Sequence, residues 1–379
     1  MNRKRVLFLI ESLSGGGAEK VLITLLKHFD KQRFIITLCC ITRVGKYLDD
    51  IPSTLHFSYL LPDYKTLSGL ALFLYKIKYN LINKLPAKWV YKLWIPKGND
   101  VEIAFLEGSA TRILSGSTSN KSKRIAWVHC DINRAKGLYN SRTEEISIYN
   151  RFDRIVTVSE SSRIHFQREL PEVSTPVVVM YNPIDRKEII HLSKLNNNVP
   201  DKISGTIRLI SIGRLSPEKC YLRLLHIVRK LINQGVRTEL WILGEGEEKY
   251  SLQRYIQTNG LSEYVVLWGF RSNPYAYLSK SDVFVCSSLF EGYSTAATEA
   301  IILGLPVITT SCSGMYELLE NGKVGLITDN DEDALYAGIK DVLANNSMLH
   351  SFMDAASRRS HDFSLDDTMK KIESFIEGI

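Results

Sequence analysis

The sequence predicts an α/β protein of two parallel-sheet domains, and three observations predict it. Short apolar runs alternate with amphipathic helical stretches from one end to the other, in two series separated by a polar, Asn-rich interval from Leu195 to Ser204. Strands that alternate with helices form right-handed βαβ crossovers, and those build parallel sheets. At 379 residues the chain is longer than one ordinary core organises. Its charge also changes sign near the middle: residues 1–185 carry 27 Lys and Arg against 17 Asp and Glu, a net +10, and residues 186–379 carry 21 against 24, a net −3.

Taken in order, the first series has strands at Val6–Ile10, Phe34–Ile41, Val101–Leu106, Arg124–Val128, Arg154–Val158 and Val177–Tyr181. Ser14-Gly15-Gly16-Gly17 joins the first of them to a helix from about Ala18 to Phe29. The second series has strands at Ile207–Ile212, Glu239–Leu243, Tyr264–Leu267, Val283–Cys286, Pro306–Thr309 and Gly325–Ile327. Each series is long enough for one Rossmann-like domain. The division is an N-terminal domain over 1–185, a C-terminal domain over 186–360 with a linker at about 183–204, and a helix over 361–379 packing back toward the N-terminal domain. The segment Met348–Ile379 reads as helical and polar on one face.

Hydrophobic content of 45% and charged content of 23% are those of a soluble globular protein. Six cysteines, at 39, 40, 130, 220, 286 and 312, show no CxxC or zinc-like spacing and read as reduced thiols of a cytoplasmic protein. Arg3, Lys4 and Arg5 precede an apolar run that ends at Glu11 with no cleavage site, so it reads as a strand and not as a signal peptide. No apolar stretch reaches membrane-spanning length. A basic pI of about 8.9 is the only pointer to nucleic acid, and no recognised motif accompanies it, so no nucleic-acid partner is expected. The segment 65–97 stands apart: seven lysines (65, 76, 78, 84, 88, 92 and 97), no acid between Asp63 and Asp100, and six aromatics (Phe73, Tyr75, Tyr79, Trp89, Tyr91 and Trp94). Lysine interleaved with aromatics and leucine lies well on an anionic bilayer. The alternative for this segment is a solvated lysine face over an ordinary helical core.

Ligands of parallel α/β sheets bind at the carboxyl ends of the strands, which singles out five turns. The richest is Phe290-Glu291-Gly292-Tyr293-Ser294-Thr295-Ala296-Ala297-Thr298-Glu299-Ala300. Glu291 falls in the turn between a strand and a helix, and Glu299 about two helical turns on. The N–H groups of Gly292 to Thr295 open that helix and suit an anion or a polyol. Ionised carboxylates accept from vicinal hydroxyls, so a sugar or ribose is the natural ligand. Arg214 and Lys219, in Gly213-Arg214-Leu215-Ser216-Pro217-Glu218-Lys219, are placed to reach one diphosphate, as a planar fork and a point charge; the alternative is a surface ion pair with Glu218. Gly15-Gly16-Gly17 lets backbone approach a phosphate or sugar, or is simply a tight turn. His129, after the strand ending at Val128, faces a cleft or is structural. Asp329-Asn330-Asp331 has the DxD spacing of a divalent-cation site, but it precedes the helix Ala334–Leu343 and reads as an N-cap.

These motifs together resemble the retaining glycosyltransferases of the GT-B fold, family 4 (glycosyl transferases group 1). The marks are Gly15-Gly16-Gly17-Ala18-Glu19, Val158-Ser159-Glu160-Ser161, Tyr181-Asn182-Pro183-Ile184-Asp185, the Gly213–Lys219 run, Leu243-Gly244-Glu245-Gly246, the Glu-x7-Glu stretch and Gly304-Leu305-Pro306-Val307-Ile308. The resemblance covers nearly the whole chain. Its Glu-Gly-Tyr-Ser-Thr and Ser-Cys-Ser-Gly-Met variants look like those of bacterial enzymes that build surface polysaccharides, capsule or lipopolysaccharide. It implies two Rossmann-like domains facing a central cleft.

It also implies roles. Arg214 and Lys219 bind the donor diphosphate, Glu299 the ribose, Glu291 the transferred sugar, and Gly292, Tyr293, Ser294 and Thr295 sugar hydroxyls and phosphate. Gly16 and Gly17 meet the phosphate, His129 lies beside donor sugar and acceptor, and Phe270 and Arg271 line the base pocket. Neither metal nor cofactor is implied, the nucleotide-sugar, a UDP-sugar by resemblance, being a substrate. The partners implied are a hexose or N-acetylhexosamine donor and a glycan or lipid-linked glycan acceptor. With the basic segment, this gives a cytoplasmic protein held peripherally on the anionic inner leaflet through 65–97. Many relatives have Phe-Gly or Pro-Phe where this chain has Tyr293-Ser294. The rival readings are a GT-B-type sugar-nucleotide epimerase and a non-catalytic nucleotide-sugar-binding partner subunit.

Overall fold

The computed structural model describes residues 3–130, 132, 138–195 and 198–379. The chain divides into two compact units, 1–183 with 366–379, and 184–365. The first unit is built on seven parallel strands: β1 Lys4–Ile10, β2 Phe34–Thr42, β3 His56–Leu61, β4 Val101–Ala104, β5 Lys123–Val128, β6 Arg154–Thr157 and β7 Val177–Val179. Their order is β3-β2-β1-β4-β5-β6-β7. The central strands are buried on both faces, which is why Val6 to Ile10 is an unbroken apolar run with no exposed atom.

The sequence reading had six strands here, and β3 is the one it lacked. His56-Phe57-Ser58-Tyr59-Leu60-Leu61 is neither a continuous apolar run nor a clean alternation, and only Leu60 and Leu61 are buried. As an edge strand it pairs with β2 alone, so burial demands less of it than of a central strand.

The second unit carries β8 Ile207–Ile212, β9 Thr238–Leu243, β10 Val265–Gly269, β11 Val283–Cys286, β12 Val307–Thr310 and β13 Gly325–Thr328. All are parallel, in the order β10-β9-β8-β11-β12-β13. Counted within its own unit, each sheet runs 3-2-1-4-5-6, with β7 added to the first. This is the doubly wound Rossmann order, whose ligand crevice opens where the order reverses. In the second unit that point lies between β8 and β11. At the opposite end of β8, Arg208 is buried, pairs with Glu239 at 2.8 Å, donates to the carbonyls of Pro200, Asp201 and Lys280, and stacks on Trp241. A buried cation persists only with such complete pairing.

The C-terminal stretch is two helices, Asn346–Arg359 and Leu365–Gly378, broken at residues 360–364. The second belongs with the first unit. Buried Glu373 accepts from the Asp30 N–H and from Arg33, both at 2.8 Å, and Lys4 donates to the Ile376 and Glu377 carbonyls at the helix end.

Candidate active site

The loops after β8 and β11 meet where the second sheet reverses its order. The β8 loop also rests on the loop after β9. Gly213 N–H donates to Leu243 O, Leu215 N–H to Glu245 O, and Glu248 N–H to Leu215 O, all at 2.9–3.0 Å. Gly244 has φ +145°, and a Cβ there would lie 1.8 Å from the Gly213 carbonyl oxygen. The backbones touch, so no larger residue fits.

Lys219 and Glu291 sit on the two loops that meet. Their charged atoms are 2.5 Å apart, and Ser288 Oγ donates to the same carboxylate oxygen at 2.7 Å. Burial pushes the Lys219 ammonium down, and the Glu291 carboxylate more than offsets that, so its pKa stands above the ordinary lysine value. The partner of Lys219 is therefore Glu291, and Glu218 instead accepts from Ser216 Oγ at 2.5 Å. The two loops are joined further by Leu289 N–H to Glu218 O at 2.8 Å and Ser287 Oγ to Lys219 O at 2.7 Å.

After Glu291 the backbone of Gly292, Tyr293 and Ser294 is buried and leads into the helix Thr295–Ile302. Ser294 caps it, accepting from Ala297 N–H at 3.3 Å. Glu299, inside this helix, is buried with Tyr275 Oη 3.4 Å from its Oε1. The Gly292–Tyr293 turn is held close by the loop after β12. Gly314 has φ +76°, and a Cβ there would meet Gly292 O at 2.4 Å.

Arg214 is exposed at the rim of the β8 loop. Phe270 and Arg271 follow β10. The guanidinium of Arg271 lies over the rings of Trp268 and Tyr277, at 5.3 and 5.6 Å, as the outer member of an aromatic cluster with Trp241. Asp331 caps the helix Glu332–Ala344, accepting from Ala334 N–H at 2.8 Å, while the amide of Asn330 turns away to the β11 loop. Ser288, Tyr275 and Asn330 escaped the sequence reading as site residues. A serine three before Glu291 is the only local signal among them; the other two arrive from distant segments.

In the first unit, Gly16 and Gly17 open the helix Gly17–His28 after β1, with Gly16 at the N-cap. His129 follows β5, packed against the rings of Phe105 and Trp127, and its Nε2 is buried with no hydrogen-bond partner among the described residues. Burial pushes its pKa down to about 3, so the imidazole is neutral at neutral pH. The Glu107 carboxylate fixes the turn by accepting from the N–H groups of His129 and Cys130, at 3.0 and 2.5 Å. Asp131, beside it, lies outside the described residues.

The basic segment forms two helices, Gly69–Lys84 and Ala87–Trp94. Leu70, Phe73, Leu74, Ile77 and Leu81, at helical spacing, are all exposed, Leu70 by 73% and Phe73 by 60%, and Trp89 and Leu93 are exposed on the second helix. Ile82 and Tyr75 supply the contact with the core, and Arg112 pins the helix end through the carbonyls of Ile82 and Leu85. Two of the seven lysines are tied to backbone: half-buried Lys78 donates to Leu60 O, and exposed Lys97 to Tyr91 O. Lys65, Lys76, Lys84, Lys88 and Lys92 are exposed.

Comparison with known proteins places this architecture. Residues 194–359 match the glycosyl transferases group 1 family. Over 363 residues, 93% of this chain and 94% of the relative, the sequence is 27% identical to the N-acetylgalactosamine-N,N'-diacetylbacillosaminyl-diphospho-undecaprenol 4-alpha-N-acetylgalactosaminyltransferase of Campylobacter jejuni. It is 27% identical to the putative colanic acid biosynthesis glycosyltransferase WcaL of Salmonella typhimurium, across 66% of this chain and 62% of that one. The crystal structure of HepE from Anabaena with UDP and glucose superposes with a TM-score of 0.77 at 18% identity, over the full length of both chains. The two doubly wound units are those of the GT-B fold, and the stretch 194–359, within the second unit, is the part that matches the glycosyl transferases group 1 family.

Proposed function

We propose that this glycosyltransferase is retaining and metal-independent, and that it moves a hexose or N-acetylhexosamine from a UDP-sugar to a lipid-linked glycan in surface-polysaccharide synthesis. The observation that carries the reading is the pairing of Lys219 with Glu291 at the switch point of the second sheet, with buried Glu299 inside the short helix that follows Glu291. Two carboxylates for sugar and ribose hydroxyls thus stand beside a cation for phosphate. The UDP and glucose bound to HepE, and the diphospho-undecaprenol acceptor in the name of the Campylobacter relative, support the choice of donor and acceptor.

In this reading the bond from the anomeric carbon to the diphosphate breaks while the acceptor oxygen bonds to the same face of that carbon. The acceptor's proton passes to the leaving phosphate oxygen. No side-chain nucleophile is needed; Glu291 is the candidate if a covalent route is used. Arg214 and Lys219 stabilise charge as it develops on the leaving group, the part a divalent cation plays elsewhere. An ammonium has three donors, and the contact with Glu291 uses one of them. Glu299 takes the ribose, and Phe270 and the backbone beside it take the base, with Arg271 on its outer rim.

The acceptor's lipid sets the place of work. The exposed stripe Leu70, Phe73, Leu74, Ile77 and Leu81, flanked by outward lysines, would seat the first unit on an anionic cytoplasmic leaflet.

The test is a thermal-shift and calorimetric screen of UDP-, GDP- and ADP-sugars on wild type and Glu299→Ala. One nucleotide series should stabilise the wild type, by about 2.7 kcal/mol at 100 times its Kd, and lose that effect in the variant. Stabilisation by none of them sinks the donor assignment. Binding and interconversion of a nucleotide-sugar without any acceptor would establish the epimerase reading instead.

A further inference from the structure

The Glu291 carboxylate is held by Lys219 and by a second partner that the proposed function gives no contact with the donor. That partner, Ser288, is 2% exposed and donates to the carboxylate. The backbone at Ser288 and Leu289 is in turn strapped from two neighbouring strands. From the end of β12, Thr310 Oγ1 and Cys312 Sγ reach the Ser288 carbonyl at 2.6 and 3.1 Å. From beyond β13, Asn330 Nδ2 donates to Leu289 O at 2.9 Å and lies 3.3 Å from Ser288 O.

The amide of Asn330 is oriented by its other end. Arg223 Nη1 donates to Asn330 Oδ1 at 2.9 Å and approaches Ser287 O at 3.5 Å. A guanidinium has donors only, so the amide oxygen must face Arg223 and the NH2 must face the two carbonyls. Neither aspartate nor serine supplies both functions with that reach. The capping of the next helix is done by Asp331, so the Asn330 side chain is not spent on its own turn.

We infer that Asn330 is a positioning residue for the transfer reaction. It holds the Ser288–Leu289 backbone so that the Ser288 hydroxyl and Lys219 present the Glu291 carboxylate to the transferred sugar. The inference rests on the donor-site reading above. It predicts a loss confined to the sugar end of the donor, because the ribose carboxylate Glu299 lies on a separate helix with its own contact at Tyr275.

The experiment compares Kd by calorimetry for UDP and for UDP-glucose and UDP-N-acetylglucosamine. It uses wild type, Asn330→Asp, Asn330→Ala and Ser288→Ala, with Tm measured for each. Asn330→Asp keeps the shape and the acceptor for Arg223 but turns an oxygen onto two carbonyls. The better-bound sugar nucleotide should lose about tenfold in affinity in both Asn330 variants while UDP stays within about twofold, on the scale of one lost buried hydrogen bond. Ser288→Ala should show the same selective loss. Combining it with Asn330→Asp should add little, since both act on one carboxylate. Equal losses for UDP and UDP-sugar, tracking a fall in Tm, would make Asn330 purely structural and overturn the inference, as would wild-type affinities in both Asn330 variants. Wild type that binds neither UDP nor UDP-sugar would remove the donor site itself, and the inference with it.

Discussion

An ion pair 72 residues apart in sequence, Lys219 with Glu291, shows what single residues do in this molecule. Each charge would be costly at its degree of burial, and each is made tolerable by the other and by Ser288. Arg214 is exposed at the rim of the same crevice, and the proposed function assigns it the charge that develops as the leaving group departs. Replacing it with alanine should lower the transfer rate by about 10²–10³, equivalent to roughly 2–4 kcal/mol of barrier. Steady-state kinetics with the matched acceptor checks this, and near-full activity of Arg214→Ala would refute the phosphate assignment. The residue types were legible beforehand, because Glu-x7-Glu and Arg-x4-Lys are local patterns. Which charge meets which was not legible. Glu218 is the sequence neighbour of Lys219, yet Glu291 is its neighbour in space, delivered by a separate strand.

At the scale of elements, the helix Gly69–Lys84 contradicts its own burial pattern. An apolar stripe at i, i+3, i+4, i+7 and i+11 ordinarily faces a core, but here Leu70, Phe73, Leu74, Ile77 and Leu81 face outward and the core contact comes from Tyr75 and Ile82. Among the described residues no helix is long and apolar enough to cross a membrane, and the proposed function assigns this stripe to the surface of an anionic bilayer. Phe73→Ser with Ile77→Ser should abolish flotation with liposomes containing anionic lipid without lowering Tm, because neither side chain packs in the core. Replacing Lys76 and Lys88 with glutamate should make the remaining binding independent of anionic lipid. Flotation of wild type that ignores both lipid charge and these changes would eliminate the membrane role. Periodicity disclosed that the helix exists and is amphipathic. It did not disclose that the apolar side is the exposed one, nor that Lys78 and Lys97 donate to backbone carbonyls.

The whole molecule closes its first unit with its last helix. Glu373 accepts from Asp30 N–H and Arg33, and Lys4, near the start of the chain, caps the helix that ends it. Removing the carboxylate in Glu373→Ala leaves a part-buried N–H without its acceptor, worth about 1–3 kcal/mol. Amide exchange across 365–378 should accelerate accordingly, while exchange in the sheet of the second unit should not change. Unaltered protection of that helix would show that apolar contacts of Met369, Ile372 and Ile376 hold it instead.

By itself the sequence determined the two α/β series and the identity of the charged residues at the strand ends where the chemistry is proposed. Those properties are written in local periodicity and in the turn chemistry of glycine, proline and serine. It left open the edge strand β3, whose side chains are only half buried and so carry no clear pattern. Tertiary structure alone decided the pairing of Lys219 with Glu291, the reach of Asn330 across the end of β12, the outward face of the helix Gly69–Lys84 and the docking of the last helix against Asp30 and Arg33. The physical reason is common to all four. Hydrogen bonds and ion pairs act over a few ångströms, and only the winding of the sheets brings residues from distant parts of the chain within that range.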